Sequence, residues 1–194
     1  MIRLISSRAA SILCKNDDKD TVELYEYAIY IILSGLFHVM TVFVLGICFN
    51  MIVESLVFYG SFISIRKFAG GYHAKTPSRC YLFSLSISVI VLCLIKVVYA
   101  FYSSTLILLL LIFELACGVL VFIVSPLESD NKPLDNNEMK IYKKIVLIVI
   151  SVVFVISLLF VHLKVKFICI PMIFGVYMCA LVILMRKIQM MIFK

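Results

Sequence analysis

Six stretches of this chain, at about 27–49, 51–66, 81–101, 104–125, 144–163 and 167–186, run almost without charge between polar clusters. A hydrocarbon layer of ~30 Å takes ~20 helical residues to cross. Inside lipid the backbone groups of such runs must be satisfied internally, and no alternating strand pattern appears, so the runs are read as helices. The rest of the composition agrees. The chain is 64% hydrophobic and 15% charged over 194 residues, with a mean hydropathy of +1.15, which leaves too few polar residues to cover a water-soluble domain of that size. The expected fold class is all-α: a polytopic membrane protein in one domain, residues 1–194, with about six transmembrane helices. The second run is short enough to be tilted, half-inserted or re-entrant.

Residues 1–22 hold no continuous apolar core, and the first long run carries no small-residue cleavage site, so no signal peptide is expected there. Ile2, Ile5, Ala9 and Ile12 recur at helical spacing opposite Arg3, Ser7 and Ser11. That pattern predicts an amphipathic helix lying on the membrane surface. Orientation is read from the basic residues, which concentrate on the cytoplasmic side of membrane proteins. With both termini cytoplasmic, fifteen of the eighteen lysines and arginines lie in the inner segments or at the span ends that border them, leaving Lys164 and Lys166 outside and Lys96 within a span. The inner segments are then the leader 1–22, a first loop over 66–80, a second over 126–143, and the C-terminal end. The net charge of +7 is thereby a topology signal, and no nucleic-acid partner is expected, since no soluble basic module with interleaved aromatics is present.

Cys48, Cys93, Cys117, Cys169 and Cys179 fall inside apolar runs, where cysteine behaves as a small hydrophobic residue. Cys14 and Cys80 lie on the side assigned to the reducing cytoplasm. No two cysteines form a CxxC and the three histidines show no metal-ligand spacing, so neither metal nor cofactor is expected. Glu114 stands near the middle of the fourth run, where a carboxylate is costly and a function is the first suspicion. Lys96 could reach toward it, so a structural ion pair is an equal alternative. Glu54 and His38 are read first as packing or hydrogen-bonding residues, and Gly35 and Gly46 as close helix contacts.

The first loop, Arg66-Lys67-Phe68-Ala69-Gly70-Gly71-Tyr72-His73-Ala74-Lys75-Thr76-Pro77-Ser78-Arg79-Cys80, is the most informative stretch. Gly70-Gly71 permits a tight turn. Thr76-Pro77 reads as an N-cap followed by proline in the first helical position, which places Cys80 in the first turn of the third span. There the helix dipole, together with Arg66, Lys67, Lys75 and Arg79 and no acid in the loop, favours a thiolate. His73 is near enough in sequence to fold back as general base or ion-pair partner. On residue types alone, Cys80 as a plain boundary cysteine and His73 as a solvated loop residue stay open.

The spacing R-x4-G-x-H-x6-C, here Arg66, Gly71, His73 and Cys80, resembles the signature of the accessory gene regulator B (AgrB) family, membrane endopeptidases that process quorum-sensing peptides in Gram-positive bacteria. Pro126-Leu127-Glu128-Ser129-Asp130-Asn131-Lys132-Pro133 is similar, less specifically, to that family's second cytoplasmic segment. The resemblance implies an AgrD-type propeptide substrate with an amphipathic leader and an acidic C-terminal tail. It implies a nucleophilic Cys80 that forms a thioester, a His73 that moves the protons, and cyclisation of the released acyl group to a thiolactone or lactone. Arg66, Gly71, Lys67, Lys75 and Arg79 would support the loop or bind the tail, with Arg66 favoured for both. A homodimer in the lipid bilayer is implied as well. The rival reading is a small multispan transporter or exporter subunit, supported by Glu114, Lys96 and the short second run, against which stand the lack of a repeat and of a polar midplane path.

Overall fold

The computed structural model describes residues 2–14, 19–71, 77–127 and 135–192. Its elements are α1 (Ile2–Leu13), α2 (Lys19–Phe49), α3 (Ile52–Ala69), α4 (Pro77–Ala100), α5 (Ser104–Val124), α6 (Asn136–His162) and α7 (Lys166–Ile192). Five of them, α2 and α4 to α7, are long and apolar enough to cross a membrane. With no strand among the described residues, the chain is an all-helical multi-pass membrane protein. α3 coincides with the short second run; its 18 residues include Glu54, Arg66 and Lys67, which sets it apart from the five.

α3 and α7 form the middle of the bundle. The buried residues of α3 include Ser55, Phe58, Phe62, Ile65 and Ala69, a spacing of alternating three and four that keeps one stripe facing a neighbour. That neighbour is chiefly α7, 67% of whose apolar window is buried against 11% for α2. The two helices approach closely because position 175 is glycine. A Cβ there would collide with the Ser61 hydroxyl and stand 3.0 Å from the Phe62 amide nitrogen. Around this pair, α2, α4, α5 and α6 turn apolar side chains outward; Leu36, Met40, Leu109, Ile112, Ile148 and Val155 are all exposed. Such an inverted surface is what lipid requires and water does not tolerate.

The bundle has two distinct ends. At one, the turns Asn50–Met51, 101–103 and 163–165 come together: Tyr99 donates to Glu54 Oε1 at 3.2 Å and to the Lys166 carbonyl at 3.4 Å, and Lys166 Nζ lies 5.3 Å from the Tyr99 ring centroid. At the other, the ends of α3 and α5 meet the first turn of α4 and the later half of α7.

Several expectations change in detail. The leader is helical, but α1 meets α2 through buried Ser6, Ala10 and Cys14, leaving Leu4, Ile5 and Ile12 exposed. α6 begins at Asn136 rather than near 144, because Asp135 and Glu138 form a capping box in which the Asp135 amide donates to Glu138 Oε2 at 3.3 Å. The charged residues 138–144 are thus the first turns of a helix, not loop. Lys96 lies over the Phe49 ring at 5.2 Å, and the carboxylate of Glu114 turns instead to Ser157 on α6. Gly46 does make a close contact, with Ser55 and Ile52, whereas Gly35 faces open space.

Candidate active site

Arg66 and Lys67 belong to the last turn of α3, not to a loop. The helix ends where Gly70 (φ +77°) and Gly71 (φ +143°) adopt backbone conformations that side chains rarely allow. The Gly70 amide donates back to the Arg66 carbonyl at 3.0 Å, and the Leu127 amide donates to the Ala69 carbonyl at 3.1 Å. A Cβ on Gly70 would stand 2.5 Å from the Leu127 carbonyl oxygen, and one on Gly71 would stand 2.9 Å from Val182 Cγ1. The two glycines therefore let the start of the first loop wedge between the segment after α5 and the flank of α7.

α4 starts at Pro77, as proline in the first helical position predicts, and Cys80 occupies its first turn, partly buried. The next residue, Tyr81, fixes how that turn is rotated. Its ring packs against Phe37 of α2, tilted, and against His38 of the same helix, edge to face, with centroids 5.1 and 5.3 Å away, and its hydroxyl is 3.0 Å from Thr41 Oγ1. His38 is itself engaged by the Ser34 carbonyl at 2.8 Å, which accounts for both polar residues as helix contacts.

The cations of this end divide into two groups. Lys67 and Arg79 are exposed. Arg66 turns inward, with its guanidinium carbon 5.5 Å from the Phe62 ring centroid, and interacts electrostatically with Cys80, Cys179 and Tyr59. The structure thus brings two of the signature residues, Arg66 and Cys80, from different helices within electrostatic reach of each other, and holds a third, Gly71, against α7. His73 and Lys75 lie outside the described residues. Cys179, 1% exposed, and Arg186, 7% exposed, belong to the same side of the bundle; Arg186 donates to Gln189 Oε1 at 3.3 Å. Sequence reasoning placed Cys179 with the inert apolar cysteines and used Arg186 for orientation only. The signal for Arg186 was a cation close behind an apolar run; nothing local marked Cys179 or Tyr59, and Leu127 stood out only as part of the Pro126–Pro133 segment.

A thiol at a helix N-terminus beside a partly buried guanidinium has the makings of an acyl-transfer site: a nucleophile, a fixed positive charge, and backbone N–H groups of the first turn without helical acceptors. Among the described residues no group of three or more His, Cys, Asp or Glu could hold a metal ion.

The family model for Accessory gene regulator B matches residues 6–190. Among curated proteins, an AgrB-like protein of Clostridium perfringens strain SM101 is 27% identical over 148 residues, 71% of this chain and 64% of that protein. AgrB-like protein 2 of Clostridium perfringens strain 13 is 28% identical over 148 residues with the same coverage. Protein FsrB of Enterococcus faecalis is 27% identical over 147 residues, covering 74% of this chain and 58% of its own. The match spans just under two thirds of the length of these relatives. No solved structure matches.

Proposed function

Since the chain belongs to the accessory gene regulator B family, we propose that it is a membrane-embedded cysteine endopeptidase that removes the C-terminal tail of an AgrD-type quorum-sensing propeptide and promotes cyclisation of the remainder. The observation that supports this reading is that Arg66 and Cys80, fourteen positions apart in sequence and on two helices, lie within electrostatic reach of each other at a helix N-terminus. A structural boundary cysteine has no need of such a neighbour.

In this reading the Cys80 thiolate attacks the carbonyl carbon of the bond between signal and tail. The tetrahedral oxyanion is met by backbone N–H groups of the α4 first turn, since Pro77 itself has none to offer, and by the charge of Arg66. Collapse breaks the C–N bond. His73 supplies the proton that the leaving amine takes up, and a thioester remains on Cys80. A thiol or hydroxyl of the same propeptide then gives its proton to the now neutral His73 and attacks that thioester, releasing a thiolactone or lactone and restoring the Cys80 thiolate and the protonated His73. Thioester-to-thiolactone exchange is nearly balanced in energy, so a site that excludes water favours the ring over hydrolysis. Lys67, Lys75 and Arg79 supply the positive field that draws an acidic tail, while the exposed apolar residues of α1 mark where the substrate's amphipathic leader shares the same leaflet. The basic-residue asymmetry supports a cytoplasmic site, the side on which a ribosome-made substrate is available.

The test is co-expression with a propeptide of that design. Tail release and a hydroxylamine-sensitive adduct on Cys80 are expected from the unsubstituted chain. Both should vanish in Cys80→Ser while membrane insertion is retained, and cleavage by purified Cys80→Ser would end the assignment. His73→Ala should likewise abolish cleavage.

A further inference from the structure

A second polar centre lies in the membrane-spanning part of the bundle. Between α5 and α6 runs a groove of about 340 Å³, with Glu114, Gly118, Phe122, Ile150, Ser151 and Phe154 among its walls. Gly118 keeps it open, because any Cβ there would come within 2.9 Å of Ile150 Cγ2. Its rim residues Leu115, Val119, Leu147 and Val155 are exposed, so it opens toward lipid.

Glu114 is 1% exposed and sits at the middle of the 21 residues of α5. Its Oε1 accepts from Ser157 Oγ at 3.0 Å. Its Oε2 is buried and has no hydrogen-bond partner among the described residues. The polar neighbours do not complete it: the Tyr177 hydroxyl donates to the Leu110 carbonyl at 2.6 Å, and Lys96 is occupied with Phe49. A carboxyl oxygen left unpaired in a dry, apolar site carries a desolvation cost, which selects for a ligand able to meet it.

We propose that this groove binds a neutral ligand with a hydrocarbon body and a single hydroxyl, entering from the lipid. A hydroxyl both donates and accepts, so once the Glu114 carboxyl turns into the groove it satisfies Oε2 whether Glu114 is ionised or protonated. A cationic ligand would have to give up its hydration at half-depth, and a phospholipid headgroup stays at the interface. The walls suit an aliphatic chain, the exposed Ser151 supplies a second hydrogen-bonding group at the mouth, and the volume lies at the small-ligand end of known sites. This site is separate from Cys80 and stands whether or not the proteolytic reading does.

The experiment uses the full chain reconstituted in lipid nanodiscs and photolabelled with a diazirine-bearing octanol, with a diazirine-bearing octane as comparison. The alcohol should label the α5 and α6 residues bordering the groove, displaced by octanol and not by octane. Glu114→Leu should lower that labelling about tenfold, the equivalent of ~1.4 kcal/mol. Glu114→Gln should retain it, since an amide also donates and accepts. Ser151→Leu, which fills the groove from its exposed rim and leaves Glu114 intact, should abolish it. Equal labelling by the hydrocarbon probe, labelling unchanged in Glu114→Leu and Ser151→Leu, or crosslinks between two copies of the chain in place of probe adducts would each overturn the proposal.

Discussion

Arg66 and Lys67 are adjacent in sequence and opposed in space. One helical step turns the guanidinium toward Cys80, Cys179 and Tyr59 and leaves the ammonium exposed. In the proposed reaction a cation within electrostatic reach of Cys80, rather than a tail-binding one as expected from the sequence, acts on charge that develops at the reacting bond, so Arg66→Gln should lower kcat by about 10²-fold with little change in KM. Arg66→Lys should recover only part of that, because a flexible point charge does not reproduce a planar guanidinium packed over Phe62. A rise in KM with kcat preserved would instead make Arg66 a tail-binding residue. The same geometry separates the two thiols. Cys179 is enclosed, so Cys179→Ala should retain cleavage in the propeptide assay; loss of cleavage there, with retention in Cys80→Ser, would exchange their roles. At this scale the sequence named the candidate residues. It was silent on their facing, because a residue's rotation about its helix axis depends on what the helix packs against.

Between α3 and α7 the contact is backbone-close at Gly175, where an added methyl would meet Ser61 and the backbone of Phe62. Overpacking that cannot relax costs about 1–3 kcal/mol, and Gly175→Ala should lower the thermal midpoint of the purified protein in detergent by a corresponding margin. Gly35→Ala is the counterpart. With open space around it, the substitution should be neutral or stabilising by up to ~1 kcal/mol through helix propensity. An unchanged midpoint in Gly175→Ala would show that α3 and α7 do not pack as described. The glycines could be found in the sequence, but the one that mattered most was not singled out, since small residues in apolar runs look alike until the partner helix is known. Element boundaries followed the same division. Proline at the start of α4 was legible from Thr76-Pro77, a purely local signal. The early start of α6 was missed because hydropathy located the apolar run, while the Asp135–Glu138 capping box extends the helix into polar sequence.

For the whole molecule, two clusters at opposite ends of the bundle agree with alternating helix directions. Glu54, Tyr99 and Lys166 gather at one end; Ala69, Leu127, Gly71 and Val182 gather at the other. If the loop end is cytoplasmic, Ser103→Cys and Lys164→Cys should react with an impermeant thiol reagent added outside intact cells, above the level of the unsubstituted chain, and Asn136→Cys should not. Labelling of Asn136→Cys from outside would invert the molecule. Hydropathy and charge are sums over consecutive residues, and so the helical class and the approximate places of the five long apolar helices could be read from the sequence by itself, whereas the start of the first loop could not, because Arg66 and Lys67 close α3. Helices apolar on every side carry no such local mark of which face turns inward. Only the packed bundle decided that α3 and α7 are central, that Glu114 turns to Ser157 and not to Lys96, and that Leu127 docks on the end of α3. Those outcomes follow from side-chain shape and hydrogen-bond geometry between segments far apart in the chain, which no window of consecutive residues contains.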